Sequence, residues 1–195
     1  ELSSIANYAG AMGETELDAA LRSIGDLGLA DFTLSCCSYS MDAEGDITAE
    51  LRYTCEMTAD NLYGYSMDNF WQVLDWGDKP VITKYITMDA KTGALLSVFT
   101  SYPLWDTDDT LPPEQAAAER FIGTVAPEMA AESAFCTLKG YNAGGDFTFA
   151  RVHDGYFYPD NYLYVELNAA AGTVDTYRYR WDDDVVFAAS AGIVS

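Results

Sequence analysis

The sequence predicts an α+β protein made of two tandem repeats, each with one helix packed on a curled antiparallel sheet of three to five strands. Two internal matches predict this architecture. Residues 16–27 match 114–125 at six of twelve positions, and residues 70–100 match 149–179 at seven of 31. Helical periodicity marks the first pair and strand alternation marks the second. We therefore expect a first repeat over residues 1–106 and a second over residues 112–195.

Each repeat is expected to begin with an amphipathic helix. In the second repeat, apolar residues follow the i, i+3, i+4, i+7 spacing that places them on one helix face. The first helix carries the same stripe between Leu17 and Leu27. The segment between the repeats, residues 105–113, is rich in Asp, Thr and Pro, which is typical of a linker. The stripe of the second helix consists of Ala118, Phe121, Ile122 and Val125.

The first sheet is expected to be longer than the second. The helical match has an offset of 98 residues and the strand match one of 79, so the first repeat carries 19 additional residues between them. A hairpin is predicted from Leu34–Met41 and Asp46–Met57, around a turn at Glu44 and Gly45. A further strand is predicted over Phe70–Asp75, with its counterpart over Phe147–His153.

Both repeats are expected to end in a hairpin with the same turn. Asp89 is followed four residues later by Gly93, and Asn168 is followed four residues later by Gly172. This spacing is typical of a type I turn closed by a left-handed glycine. Before the second turn, Leu163, Val165 and Leu167 alternate with polar residues, as in a half-buried strand.

The second repeat carries three linked motifs: a helix ending in Ala126-Pro127-Glu128, F-x-R-x-x-D-G from Phe149 to Gly155, and a hairpin with the [DN]-x-x-x-G turn of Asn168 to Gly172. Together they resemble the repeated domain of YcdB/YcdC-type proteins and, more distantly, the PepSY domain. The resemblance covers residues 113–184 and, more loosely, 16–100, where Gln72, Asp75 and Trp76 replace the Arg-x-x-Asp-Gly string.

The resemblance implies an exported bacterial protein with a cystatin-like fold, a helix on an antiparallel sheet. PepSY modules occur in propeptides of thermolysin-like metallopeptidases, where they are linked to inhibition. The resemblance therefore implies an extracellular or cell-surface protein of a Gram-positive-like bacterium, whose signal peptide has been removed. No catalytic residues are attached to the family, so none are carried over to this chain.

The composition excludes several classes of partner. The chain has 31 acidic and 10 basic residues, for a net charge of −21. Binding of nucleic acid needs clustered Lys and Arg, and an anionic membrane surface would repel this charge. No apolar run approaches the roughly 20 residues of a membrane helix, so membrane insertion is not expected. The 14 Tyr, 9 Phe and 4 Trp are far too many for a disordered chain.

We expect no catalytic residue, no cofactor and no metal site. His153 is the single histidine, and pairing with Cys136 would be the one route to a Cys/His nucleophile. A histidine beside a turn is the better interpretation, because no oxyanion motif accompanies the pair. The four cysteines lack zinc-ligand spacing and are expected as free thiols. The acidic clusters at 106–109 and 182–184 fit a solvated surface better than a Ca²⁺ site.

The sequence therefore predicts a non-enzymatic module that binds another protein, and the resemblance to PepSY modules implies a secreted peptidase as the partner. The alternative is a cell-surface module that binds glycans through exposed tyrosines, since aromatic rings beside acids stack on sugars or grip peptides. A glycosidase would require two carboxylates about 5–9 Å apart in a cleft, and no pair stands out. The candidate binding residues are Tyr156, Tyr158, Tyr162, Tyr164, Tyr177 and Tyr179.

The charge predicts that salt stabilises the fold. At −21 the folded chain repels itself, and NaCl shortens the Debye length from about 30 Å at 0.01 M to about 10 Å at 0.1 M. The melting temperature at neutral pH should therefore rise between these concentrations, as measured by circular dichroism. A fall in melting temperature over the same range would contradict this explanation.

Overall fold

A computed structural model of the chain describes residues 8–58, 70–71, 79–103, 114–137, 146–185 and 187. The helices within these residues are α1 (Glu14–Ser23), α2 (Gln115–Val125) and α3 (Pro127–Ala131). Single 3₁₀ turns at Gly25–Leu27 and Leu29–Asp31 follow α1. The strands are β1 (Thr33–Met41), β2 (Ile47–Glu56), β3 (Val81–Asp89), β4 (Leu95–Ser101), β5 (Ser133–Phe135), β6 (Asp146–His153), β7 (Tyr156–Asn168) and β8 (Thr173–Arg180).

The strands of the described residues form one antiparallel sheet in the order β1-β2-β3-β4-β8-β7-β6-β5. The chain fills the positions from β1 to β4 in sequence and then crosses to the far edge at β5. From there it returns strand by strand, so that β8 lies beside β4 in the middle of the sheet. The β4–β8 seam is short, with Val98 opposite Tyr177 and Phe99 opposite Thr176.

The predicted architecture of two tandem repeats, each with a helix on a sheet of its own, is wrong. The described residues instead form a mostly β structure around a single sheet of eight strands. The error has a physical cause, since local periodicity specifies a strand but not which distant strand pairs with it. The predicted boundary between residues 106 and 112 lies outside the described residues, so the division into 1–106 and 112–195 stays a prediction.

Several local predictions are confirmed. The hairpin of β1 and β2 forms around residues 42–46, and Asp42 Oδ1 accepts hydrogen bonds from the backbone N–H of Asp46 at 2.8 Å and of Glu44 at 3.1 Å. Gly93 and Gly172 both adopt positive φ, as a left-handed turn closure requires. The strand predicted over Phe70–Asp75 fails at its start, where residues 70–71 are helical, and residues 72–75 lie outside the described part.

The helix ends follow from local chemistry. Gly13 precedes α1 as its N-cap residue, and its backbone N–H donates to Glu16 Oε2 at 3.0 Å, which satisfies one of the free donors at the start of the helix. Proline restricts the residue before it to extended conformations, so α2 ends at Val125, ahead of Ala126 and Pro127. Among the described residues no helix is both long enough and apolar enough to cross a membrane.

The helices pack on one face of the sheet and share a single hydrophobic core. Leu17 and Leu21 of α1 are fully buried in it, as is Phe121 of α2. The Phe121 ring meets Tyr177 of β8 edge to face, with centroids 5.3 Å apart. One core therefore joins residues from both ends of the chain. Its buried aliphatic members on the strands include Ile47, Leu51, Ile82, Ile86, Val98, Leu163 and Val165.

A close backbone approach holds the turn after α1 against β8. Gly28 has φ +62, and a Cβ built on it would lie 2.3 Å from Thr173 Cγ2. Glycine is required here for two reasons: its backbone is in the left-handed conformation, and there is no room for a Cβ beside Thr173. Beside this contact, Arg120 of α2 forms an ion pair with Asp26 at 2.6 Å.

We expect Gly28→Ala to lower the free energy of unfolding more than Gly172→Ala. Both glycines have nearly the same φ, +62 and +65, so both variants lose about 1 kcal/mol from backbone strain. Only at Gly28 does the new methyl group meet a neighbour, which adds about 1–3 kcal/mol of overpacking. Urea unfolding of both variants measures the difference.

The double variant Gly28→Ala/Thr173→Ser provides the control for steric contact. Serine lacks Cγ2, the atom nearest the new methyl group, so part of the lost stability should return. Equal destabilisation of the two alanine variants, or no recovery in the double variant, would show that the turn does not pack on β8 as described.

Candidate functional site: an acidic, aromatic groove at one end of the sheet

Two of the six predicted tyrosines lie on the helix-covered face of the sheet. Cross-strand partners share a face, and Tyr177 is opposite Val165 while Tyr179 is opposite Leu163, both core residues. Tyr177 is fully buried against Phe121 and offers no surface to a ligand. Tyr179 is half-buried. Burial raises the pKa of its hydroxyl, and the negative charge of nearby carboxylates raises this pKa further.

Two others lie on the opposite face. Tyr164 is opposite Arg178 and Tyr162 is opposite Arg180, so all four side chains point away from the helices. The Arg178 guanidinium lies 4.8 Å from the centre of the Tyr164 ring. Burial raises the pKa of Tyr164 to about 12, with a smaller contribution from the Glu166 carboxylate. The structure therefore divides the predicted tyrosine surface between two faces.

The remaining two lie at the end of the β6–β7 hairpin. Tyr156 is opposite His153 and is 53% exposed, while Tyr158 is opposite Arg151. The Tyr158 ring meets the Phe187 ring edge to face, with centroids 4.4 Å apart. The His153 ring stacks on the same Phe187 ring, with centroids 4.3 Å apart. These aromatic residues close one end of the helix-covered face.

A groove of about 590 Å³ opens near them, between α3 and the end of β8. Its volume is in the range of sites that hold a small ligand or a few residues of a peptide. The lining combines two aromatic rings, a thioether and three carboxylates. Its residues are Ala126, Pro127, Glu128, Met129, Glu132, Tyr179, Trp181 and Asp183.

Arg151 holds this wall of the groove together. Its guanidinium lies 2.8 Å from Glu132 Oε2 and donates to the backbone carbonyl of Asp182 at 3.0 Å. It also lies 5.0 Å from the ring centre of Trp181 and 4.9 Å from that of Phe187. The side chain is only 12% exposed, so it supports the groove from behind and leaves the carboxylates in front.

Arg151 was not among the predicted site residues, although a sequence signal for it exists. It follows Phe147 and Phe149 at two-residue spacing, which places it on the buried face of β6. A charged residue at an inward position needs hydrogen-bond or ion-pair partners, so its presence there indicates a cluster of interacting side chains around it. Trp181 was also not among the predicted site residues, although two-residue spacing places it on the same face as Tyr177 and Tyr179.

The Cys/His pair considered from sequence is not assembled. The backbone N–H of Cys136 bonds to Thr148, and His153 lies five residues further along β6, a separation of about 16 Å. All four cysteines are free, and Cys55 and Cys136 are buried. In the described part of the chain, no group of three or more His, Cys, Asp or Glu side chains is arranged to hold a metal ion. The acidic cluster at 106–109 lies outside that part.

Comparison with family models places most of this structure in a known group. The model described as the YcdB, YcdC repeated domain matches residues 56–181, which include Arg151 and Trp181. Comparison with curated proteins and with solved structures finds no match.

We expect Arg151→Lys to lower the free energy of unfolding by about 1–2 kcal/mol. Lysine keeps the charge but loses the planar guanidinium that stacks on Trp181 and Phe187 while bonding Glu132. Arg180→Lys, the same change at an exposed position on the other face, should stay within about 0.5 kcal/mol of the parent. Chemical unfolding measures both, and equal effects would show that Arg151 is not a structural part of the groove.

Proposed function

We propose that this chain, which belongs to the YcdB/YcdC repeated-domain family, is a non-enzymatic module that binds another protein through the acidic, aromatic groove. The groove itself is the observation that carries the proposal. It combines rings that supply apolar contact with carboxylates that select charge, as protein-binding sites commonly do. The candidate nucleophile and base, Cys136 and His153, lie far apart, which supports binding over catalysis.

The chemistry of the groove selects a cationic segment. Glu128 and Asp183 are exposed at its rim, and Met129 and Trp181 supply apolar and aromatic surface between them. A Lys or Arg side chain placed there would pair with a carboxylate while its methylene stem or guanidinium covers a ring. The net charge of −21 also attracts a basic segment over longer distances.

The resemblance to PepSY modules supports a more specific role. Such modules are linked to inhibition of metallopeptidases, so the partner we propose is a secreted peptidase that the bound chain restrains. The same resemblance supports export, to the surface or the surroundings of a Gram-positive-like bacterium. A basic, extended segment of the peptidase is the part that would enter the groove.

The test is binding of an array of extended peptides that vary in basic and apolar residues. Peptides with Lys or Arg next to an apolar residue should bind, and Glu128→Gln/Asp183→Asn should weaken them about tenfold by removing two carboxylates of the groove. The matched control is Glu50→Gln, which removes a carboxylate on an exposed part of β2. Secreted metallopeptidases are then assayed for inhibition by the chain and by both variants.

Three results would contradict this function. Peptide binding that is equally weakened by Glu50→Gln would be an effect of net charge rather than of the groove. No peptide preference at all would remove the proposed ligand. Turnover of a peptide or glycoside that a single acidic substitution abolishes would show that the chain is an enzyme.

Glycan binding is the second candidate, and one exposed aromatic pair favours it. Phe99 is 55% exposed on the face opposite the helices, and its ring stacks on Tyr85 with centroids 6.4 Å apart. Exposed, ordered rings of this kind offer flat apolar surface to a sugar. Binding to a glycan array that Phe99→Ala abolishes and Tyr179→Ala preserves, without binding to any peptide, would favour this function over the first.

A further inference from the structure

A buried lysine and a buried aspartate face each other across the middle of the sheet. Lys84 of β3 is 2% exposed, and its inward position lies between Ile82 and Ile86. Its Nζ lies 3.7 Å from Oδ1 of Asp175 on β8, whose side chain is 14% exposed. The pair spans β4, the strand that separates β3 from β8.

The surrounding groups fix both side chains. Lys84 Nζ donates to the backbone carbonyl of Val174 at 2.7 Å and to Thr100 Oγ1 at 3.2 Å, and the Phe32 ring centre lies 5.7 Å away. On the other side, the Tyr102 hydroxyl donates to Asp175 Oδ1 at 2.6 Å. The ammonium and the carboxyl are therefore held in contact within a site that largely excludes water.

Tyr102 is itself oriented by a buried neighbour. Asn168, which is 5% exposed, donates from Nδ2 to the Tyr102 oxygen at 2.9 Å. The Tyr102 proton is thereby directed toward Asp175. A donor preorganised on a carboxyl oxygen stabilises negative charge that develops there when a nucleophile adds to the carbonyl carbon.

We propose that Lys84 and Asp175 condense into an intramolecular amide, an isopeptide cross-link between β3 and β8. The Nζ lone pair attacks Cγ of the protonated carboxyl, the Nζ–Cγ bond forms, and the Cγ–O bond to the hydroxyl breaks. The departing water carries that oxygen with one hydrogen from the carboxyl and one from the amine. The amide keeps the second amine hydrogen, and the step needs no oxidant, reductant or co-reactant.

Burial favours the reactive protonation states. Removal from water lowers the pKa of Lys84, and it raises the pKa of Asp175. Both directions favour transfer of a proton from the ammonium to the carboxylate, which leaves a neutral amine and a neutral carboxyl. The neutral amine is the nucleophile and the protonated carboxyl can release water, so the pair is prepared for condensation.

The cross-link would lie where the sheet has least pairing. Only two pairs of opposing residues connect β4 to β8, and the amide would link β3 covalently to β8 across this short seam. It would also close a covalent loop of about ninety residues, which restricts the unfolded chain in the way a long-range disulfide does. A chain that works outside the cell would gain resistance to unfolding without depending on a thiol.

The test is mass spectrometry of the full chain, denatured and reduced after folding. We expect the intact mass to be lower than that of the sequence by one water molecule. A trypsin digest should contain a branched peptide that joins Lys84 to Asp175, with no cleavage after Lys84. The branched peptide is the deciding observation, since a succinimide at an aspartate would lose the same mass.

Variants of the two residues separate the cross-link from a simple ion pair. Asp175→Asn should lose ammonia instead of water and form the same amide, whereas Lys84→Met and Asp175→Ala should retain the full mass. Lys91→Met, at an exposed turn, should leave the cross-link unchanged. Tyr102→Phe should slow formation at least tenfold, because it removes the donor on Oδ1.

A parent chain that folds and keeps its full mass after prolonged incubation would overturn the proposal. So would a lowered mass without the branched peptide, or a mass loss that persists in Asp175→Ala. The measurement on the parent chain needs no variant to fold, so a destabilised variant cannot obscure the result.

Discussion

The single sheet depends on how β8 is held against β4. Their register is short, and an aspartate of β8 enters the core at this seam, where it meets Lys84 from β3. Either charge alone would be costly to bury, and removing one partner of such a pair typically costs about 3–5 kcal/mol. Together, with Thr100 and Tyr102 completing the hydrogen bonds, they admit one alignment of β8 over β4. The polar pair therefore specifies the register between β4 and β8, which apolar contacts alone would allow to shift.

The position of the groove follows from this register and from the lengths of the helices. A polar contact fixes α1 to the sheet, since Asp18 accepts a hydrogen bond from the Tyr53 hydroxyl of β2 at 2.7 Å. On the other side α3 is only five residues long and ends at Ala131. The last part of β8 lies across the groove from this short helix. A recognition surface arises there because Tyr179 faces inward beside the open groove and stays only half-buried.

Local features of this fold could be predicted from the sequence, and long-range ones could not. The helices near 16–27 and 114–125, the first hairpin, and the glycines that close two turns follow from periodicity and turn chemistry within a few residues. The pairing of residues 98–99 with residues 176–177 has no signature in the local sequence, because polar and apolar residues alternate in the same way in an edge strand and in a central strand. A repeated sequence therefore suggested two sheets where the described residues form one. The six candidate tyrosines do not share one face for a related reason, since alternation sends Tyr164 and Tyr177 to opposite faces.

One signal in the sequence does bear on the interior, and it separates two kinds of charged residue. Lys84 and Arg151 both occupy inward positions of a strand, in phase with apolar neighbours. Arg151 lies near the end of β6, keeps 12% exposure and pairs with the exposed Glu132, so its charge is retained and organises a surface. Lys84 lies in the middle of the sheet at 2% exposure, where a retained charge is expensive. The depth of an inward charge thus decides its chemistry: near the rim it supports recognition, and at the centre it must be neutralised by its partner or consumed in a bond with it.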